Sequence, residues 1–283
     1  MQIIHKTLPT DHNLYLISDT HEGTLLQHTH GIERMIQAVL EDKNNYVAIL
    51  GDLAEGITID DKRYDPATTD DRVPTPLQQY RSLVEMFKPI KERIVVVLEG
   101  NHDYKISARF GNGVRDIFCS GLNVPFGTYS CKLAIGDKRG KLQYKAYLTH
   151  GYGNINSTAD DPVRQEANMF LALKRKLAPK AGDCALMAMG HTHKLLVKPP
   201  ISRLYLADDG VKVKQHYTKA DYRSEYIDPD LRWYLNTGSF YKNFHMGESG
   251  YAERFGYNPT ELGHIVTEVR NGNIDNVRKV ILD

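Results

Sequence analysis

The chain has 283 residues, enough for one large α/β domain or two small ones with a substantial core. Its 36 Lys and Arg balance 35 Asp and Glu, so no overall charge drives it toward nucleic acid or an anionic membrane. No apolar run approaches the ~20 residues that span a bilayer, and Met1-Gln2-Ile3-Ile4-His5-Lys6 lacks the charged and apolar regions of a signal peptide. Three widely spaced cysteines, Cys119, Cys131 and Cys184, read as reduced and structural, and the expected compartment is cytoplasmic.

Asn13 to Ser18 is a short apolar run suited to a strand buried on both faces, and it ends at Asp19-Thr20-His21. Ile32, Met35, Ile36, Val39 and Leu40 then recur at helical spacing. Tyr46 to Leu50 predicts a second strand, running into Gly51-Asp52-Leu53-Ala54-Glu55. This order predicts a parallel pair with a right-handed crossover. Residues 57–76 break the rhythm with Asp60, Asp61, Asp65, Asp70, Asp71 and three prolines. They read as a solvated loop insertion, with a lid or partner surface as the alternative. Tyr80, Leu83, Val84 and Phe87 restore helical periodicity before a third strand, Ile94 to Leu98, which ends at Gly100-Asn101-His102-Asp103. Gly111, Gly113 and Gly121 interrupt any helix between there and Leu122.

Alternation becomes strict at Cys131, Leu133 and Ile135, and resumes at Leu142, Tyr144, Ala146 and Leu148 after a glycine-flanked turn. This predicts a hairpin whose second strand delivers Thr149-His150-Gly151. A helix follows, with Val163, Ala167, Phe170, Leu171 and Leu177 on one face. The strand Cys184 to Met189 then leads to Gly190-His191-Thr192-His193. From about residue 195 the chain reads as mainly β, and Asn271-Gly272-Asn273 closes a last tight hairpin. The expectation is one domain over residues 1–283 of the α/β class, with two stacked mixed β-sheets flanked by helices.

Five strand ends therefore carry ligand-type side chains. In open α/β sheets, ligands collect outside the carboxyl ends of strands, which would assemble Asp19, His21, Asp52, Asn101, His150, His191 and His193 at one place. Two carboxylates, an amide and four imidazoles are too many for one tetrahedral ion and suit two divalent ions ~3.5–4 Å apart with a bridging carboxylate. Mixed imidazole and carboxylate ligation favours manganese, zinc or iron over calcium, and manganese is taken first. Asp-x-His and His-x-His fit locally if the chain stays extended past the strand, because alternate side chains then point the same way.

The ordered set Asp19-x-His21, Gly51-Asp52-x-x-Glu55, Gly100-Asn101-His102-Asp103, His150-Gly151 and Gly190-His191-x-His193 resembles the calcineurin-like metallophosphoesterases. The resemblance covers roughly residues 13 to 240, including Asn236-Thr237-Gly238-Ser239. It implies that Asp19, His21 and His193 bind one metal, that Asn101, His150 and His191 bind the second, and that Asp52 bridges them. It further implies that His102 is a general acid or electrostatic stabiliser, that Asp103 orients it, and that a metal-activated hydroxide attacks phosphorus in line. Asp52 is followed by Leu-Ala-Glu-Gly where the protein Ser/Thr phosphatases have Asp-Arg-Gly, and Asp103 stands where they carry Glu. The combination is more similar to the phosphodiesterases and nucleases. The tail from Tyr251 to Gly263 is similar to tails of phage and prophage members.

The expected function is hydrolysis of a phosphodiester in a nucleotide or nucleic acid. A phosphomonoesterase for a small metabolite and a non-catalytic metal-binding scaffold are the alternatives. His102 and Asp103 together favour an enzyme over the scaffold. Of the remaining histidines, His245 is the candidate for substrate contact because it follows the Gly-Ser turn near the site; His5, His12, His28, His30, His216 and His264 read as structural or solvated. Arg109 and Lys242, then Arg115 and Arg254, are candidates to hold substrate phosphate. Tyr104, Tyr152 and Tyr241 flank motifs and suit either strand packing or a nucleobase. Glu55 reads equally as a partner fixing a ligand imidazole and as a surface residue. Composition and spacing do not address the oligomeric state.

Overall fold

Thirteen strands carry the architecture in a computed structural model that describes residues 1–245, 247 and 249–282. They are β1 (Gln2–Thr7), β2 (His12–Ile17), β3 (Asn45–Ile49), β4 (Ile94–Val97), β5 (Ser130–Gly136), β6 (Leu142–Thr149) and β7 (Leu186–Met189). Then come β8 (Leu195–Lys198), β9 (Leu204–Asp208), β10 (Val213–Tyr217), β11 (Trp233–Thr237), β12 (Gly263–Arg270) and β13 (Asn273–Ile281). One mixed sheet has the order β1-β5-β6-β7-β11-β8, the other β13-β12-β2-β3-β4, and β9 and β10 form a separate exposed hairpin.

The two large sheets stack on one apolar interface. Leu14, Leu16, Ala48, Leu50, Val96 and Ile265 of one meet Leu133, Tyr144, Leu148, Leu186 and Leu235 of the other. Their outer faces are covered by helices. Ile32, Met35, Ile36 and Val39 of helix Thr29–Glu41 and Tyr80, Leu83 and Phe87 of helix Pro76–Phe87 pack on β2, β3 and β4. Leu173 and Leu177 of helix Pro162–Leu177 pack on β6, β7 and β11. Burial of one such Leu or Phe contributes roughly 1.5–3 kcal/mol, so this interleaving of four layers fixes where the strand ends lie.

Several expectations change. The face of helix Pro162–Leu177 is set by Leu173 and Leu177, with Met169 and Phe170 partly buried, whereas Val163 and Leu171 are exposed. Leu173 and Leu177 are one turn apart and share a face, whereas Val163, in the first turn, has its side chain in solvent. β1 was not anticipated, because only Ile4 of its six residues is buried; it joins parallel to β5 at the sheet edge. The chain past β4 enters a helix at once, Asn101–Phe110, and Gly111 ends it with φ +91°. The final hairpin turns at Asn271 (φ 51°) and Gly272 (φ 73°), the two positive dihedrals of a type I′ turn. No helix among the described residues is long and apolar enough to cross a membrane.

β2, β3 and β4 run parallel to one another, as do β6 and β7 in the opposite layer. Loops following all five gather at one end of the sandwich.

Candidate metal centre

Asp19, His21, Asp52, His191 and His193 share an unusual backbone: all five sit at positive φ, between 49° and 71°. The left-handed region is uncommon for residues with a side chain and marks strain held by surrounding structure. Here the hold is a set of backbone hydrogen bonds between loops. Asp19 N–H donates to Gly51 O at 3.0 Å, His21 N–H to Asp52 O at 3.2 Å, and Phe240 N–H to Asp19 O at 3.1 Å. The convergence expected from an extended Asp-x-His or His-x-His is therefore produced by tight left-handed turns. Two glycines permit the close approach. A Cβ on Gly100 would lie 2.1 Å from Oδ1 of Asp52, and one on Gly190 would lie 2.4 Å from Oγ of Ser18.

The loops bring all seven candidate ligands together in two groups. Ligand atoms of Asp19, His21 and His193 lie within 4.8 Å of one another, and so do those of Asp52, His150 and His191. Asn101 joins the second group, its Oδ1 lying 3.0 Å from His150 Nε2 and 2.6 Å from His191 Nδ1.

Hydrogen-bond chemistry shows what the groups lack. Nδ1–H of His21 donates to Glu55 Oε2 at 2.7 Å, which leaves Nε2 bare. That nitrogen faces Oδ1 of Asp19 at 3.9 Å, and both atoms are buried with no hydrogen-bond partner among the described residues. The other oxygen of Asp19 accepts from Ser18 Oγ and from His191 N–H at 3.0 Å. In the second group Nδ1–H of His150 donates to Leu50 O at 2.8 Å, and its Nε2 faces Asp52 Oδ2 at 3.2 Å. Acceptors confront acceptors, so a cation must bring the missing positive charge, either as protons or as metal ions. The same demand appears in the ionisation of the imidazoles. Burial alone lowers their pKa, yet Glu55, Asp52 and Asp19 raise His21 to about 9, and Asp52 and Asp19 raise His150 to about 9. Burial opposes ionisation of Asp52 as well, but His150, His102 and His21 outweigh it and hold its carboxyl well below the usual range. The residues present fit two divalent cations.

His102 stands beside these groups, its ring 4.8 Å from that of His21. Its Nδ1–H donates to the carbonyl of Glu55 at 2.6 Å, and its backbone N–H donates to Asp52 Oδ1 at 2.8 Å. Asp103, expected to orient the ring, is turned elsewhere. Its carboxylate accepts from the N–H groups of Gly100 (3.0 Å), Leu53 (3.2 Å) and Ala54 (3.3 Å), and from Tyr80 Oη–H (2.8 Å). At the third position of a helix, a carboxylate reaches back to the unpaired amide that precedes it, and this local geometry wins. Asp103 thus ties the β3 loop to the β4 loop, and Glu55 does the orienting through its carbonyl while its carboxylate fixes His21.

Above the groups opens a cavity of about 690 Å³. Its floor includes Asp52, Asn101, His102, His191 and His193. Its walls come from the 57–76 segment (Lys62, Arg63, Tyr64) and from Tyr241, Arg254, Phe255 and Tyr257. Arg254 and Tyr241 are thus brought to the site. His245, Arg109 and Lys242 are not among the lining residues; Arg109 pairs with Asp60 at 2.5 Å on the surface, and Arg115 pairs with Asp116 at 2.7 Å. Tyr152 lies under the ammonium of Lys176, 4.3 Å from ring to nitrogen. Sequence reading missed Arg63, for which an arginine inside an acidic, proline-rich loop gives no periodic signal. The Asn236-Thr237-Gly238-Ser239 element was noted, but not the supporting role of its hydroxyls. Ser239 Oγ–H donates to Asp19 O at 3.2 Å, and Ser18 Oγ and Thr237 Oγ1 lie 2.6 Å apart beneath the first group.

The sequence profile of the calcineurin-like phosphoesterases matches residues 12–221. Among solved structures the chain is similar to the calcineurin-like phosphoesterase YfkN from Bacillus subtilis, at 11% identity and a TM-score of 0.39, over 96% of this chain and 90% of that one. It is also similar to the NAD nucleotidase NadN of Haemophilus influenzae, at 11% identity and a TM-score of 0.41, over 96% of this chain and 50% of that one. No curated protein matches the chain.

Proposed function

Because the chain belongs to the calcineurin-like phosphoesterase family and is a metal-dependent phosphoric ester hydrolase, we propose a phosphodiester of a nucleotide or nucleic acid as its substrate. The cavity carries this reading. Its volume of about 690 Å³ lies within the range of roughly 300–1,000 Å³ typical of sites that enclose a whole small molecule. It far exceeds a bare phosphoryl group, and Tyr64, Tyr241, Phe255 and Tyr257 give its walls aromatic surface beside the cations Lys62, Arg63 and Arg254. Such walls suit a phosphate carrying an organic group on each side, one of them a stackable base.

In this reading Asp19, His21 and His193 would hold one cation, Asn101, His150 and His191 would hold the other, and Asp52 would serve both. Manganese is the proposed ion, with zinc or iron next, for a donor set of imidazole, carboxylate and amide. When bound, such ions supply a water acidified toward neutral pH and positive charge against the phosphoryl oxygens. The chain's own residues do the rest. Glu55 fixes the tautomer of His21 by accepting from its Nδ1–H, so that Nε2 faces the first site. Leu50 O does the same for His150. Held by the Glu55 carbonyl, His102 presents Nε2 to the cavity, where it meets the departing oxygen.

Metal-reconstituted protein given bis(p-nitrophenyl) phosphate and p-nitrophenyl phosphate tests the choice, with cyclic nucleotides, dinucleotides and single-stranded DNA as natural counterparts. The diester is expected to be the better substrate. A strong preference for the monoester would transfer the proposal to a phosphomonoesterase, and two bound metals with no turnover on the whole panel would leave a metal-binding scaffold.

A further inference from the structure

Arg63 lies in the 57–76 segment, half-buried at the cavity wall, and its guanidinium is held in one orientation. Asp61 grips one edge of it, Oδ1 accepting from Nε at 3.1 Å and Oδ2 from Nη2 at 2.9 Å. Asp61 Oδ1 also accepts the backbone N–H of Arg63 at 3.0 Å, so the pair is closed within three residues. The remaining edge points inward, and Nη1 lies 3.3 Å from Nε2 of His102. Since Nδ1 of His102 carries the proton that Glu55 O accepts, Nε2 is the acceptor in this contact.

Two features argue that the contact is not there to position His102. The ring is already fixed from its other side by the Glu55 carbonyl at 2.6 Å. A separation of 3.3 Å also exceeds the usual 2.7–3.2 Å range for N–H donors, so the contact is exchanged at little cost when a stronger acceptor arrives. A planar fork clamped on one edge and open on the other is the geometry that binds phosphate oxygens.

We propose that Arg63 is a substrate-binding residue: its Nη1–H donates to a non-bridging oxygen of the ester phosphate, with Asp61 as the positioning residue that keeps the fork aimed at the floor. The assignment rests on the phosphoesterase reading above. Moving from His102 to the phosphate, Arg63 also uncovers Nε2 of His102, which is then free to take a proton from solvent and pass it to the leaving oxygen. Recognition of the anion by the wall and assistance to the leaving group by the floor are thereby joined in one exchange of partners.

The test uses the full-length, metal-reconstituted protein, with inorganic phosphate binding followed by calorimetry and bis(p-nitrophenyl) phosphate hydrolysis followed in parallel. Arg63→Gln is expected to weaken phosphate about 10–100-fold, the range of a lost charge-assisted hydrogen bond. KM should rise while metal content stays at the wild-type level. Arg63→Lys is expected to fall between wild type and Arg63→Gln, since a point charge replaces the fork. Asp61→Asn is expected to weaken phosphate severalfold and raise KM more than it lowers kcat, which a merely structural role would not do. It carries the test should Arg63→Gln fold poorly. Wild-type phosphate affinity and KM in a folded Arg63→Gln, or in Asp61→Asn if that protein alone folds, would overturn the assignment and leave the phosphoesterase reading standing. A wild-type protein with both metals bound that neither binds phosphate nor hydrolyses any ester would overturn both.

Discussion

The strand-end loops and the 57–76 segment face each other across one cavity and are held mainly by different means. Five of the seven ligands stand on left-handed residues locked by backbone hydrogen bonds, above two apolar cores. Within 57–76 only Asp70 is buried; residues 68–70 are tied to the loop after β2 by Leu25 N–H to Thr68 O at 2.9 Å and Asp70 N–H to Gly23 O at 3.1 Å, and the rest carries ion pairs: Asp60 to Arg109, Asp61 to Arg63 and Asp65 to Arg254, with Asp70 to Arg72 at its end. An acidic run that reads as an anionic face is thus largely neutralised by arginines, two of them far away in sequence. The contrast has a physical sense. Cation binding needs acceptors fixed to within a fraction of an ångström, which packing and strain supply. Substrate recognition tolerates a wall whose pieces are tied by exchangeable, solvent-facing contacts.

Removing charge from the rigid side should have the largest effect. Asn tolerates the left-handed backbone of Asp52, so Asp52→Asn is expected to fold, lose metal and lose more turnover than the roughly 10²–10⁴-fold that a general acid contributes. His102→Ala is the matched control, expected to keep both metals and to lose turnover within that range. Metal content by elemental analysis alongside kcat separates the two. A His102→Ala protein that turns over like wild type would dissolve the distinction between ligand and acid.

An intermediate effect tests the packing under the loops. His264 is buried between the rings of Tyr15 and Phe240, and neither ring nitrogen has a hydrogen-bond partner among the described residues. Burial, helped by Arg278, lowers its pKa to about 4 against an ordinary 6.5. The folded protein therefore keeps His264 neutral while the unfolded chain takes up a proton below pH 6.5. Stability is full above that pH and falls as the pH drops toward 4, by of order 3 kcal/mol from this residue. His264→Phe preserves the stack and removes both nitrogens, so its urea midpoint should change less between pH 7 and 4.5 than the wild-type midpoint. Identical acid limbs in the two proteins would mean that His264 is not a neutral buried group.

The smallest effect belongs to the segment. Salt at 1 M shortens the Debye length to about 3 Å. Amide exchange across 57–67 should then quicken while residues 51–55, held by backbone hydrogen bonds, stay protected. Equal response in both would erase the contrast.

How much of this was legible follows from the same division. Asp19, Asp52, Asn101, His150 and His191 could be placed because each follows an apolar run, and a parallel sheet sends such ends to one side. The stacked sheets and their helices were likewise readable from alternation and helical spacing. Left-handed turns at Asp19 and His193 were not, since their cause is the neighbouring loop and not the local sequence. Asp103 was given its role beside His102 by the family resemblance, but helix-terminal amides compete for the same carboxylate and nothing in the order of residues reveals which prevails. Arg63 escaped because its meaning depends on a partner 39 residues away.

The two ligand groups have one further property. Asp19, His21, Asp52 and Asn101 extend from the β2-β3-β4 layer, while His150, His191 and His193 extend from the β6-β7 layer, so both groups draw on both sheets, two residues and one in the first group and two and two in the second. An ion seated in either would act as a rivet through the rim of the sandwich. Metal affinity then becomes mechanical strength, adding about 2.7 kcal/mol to the unfolding free energy per site at a hundredfold excess over Kd. For such a molecule a chelator is a denaturant that never touches the apolar interface.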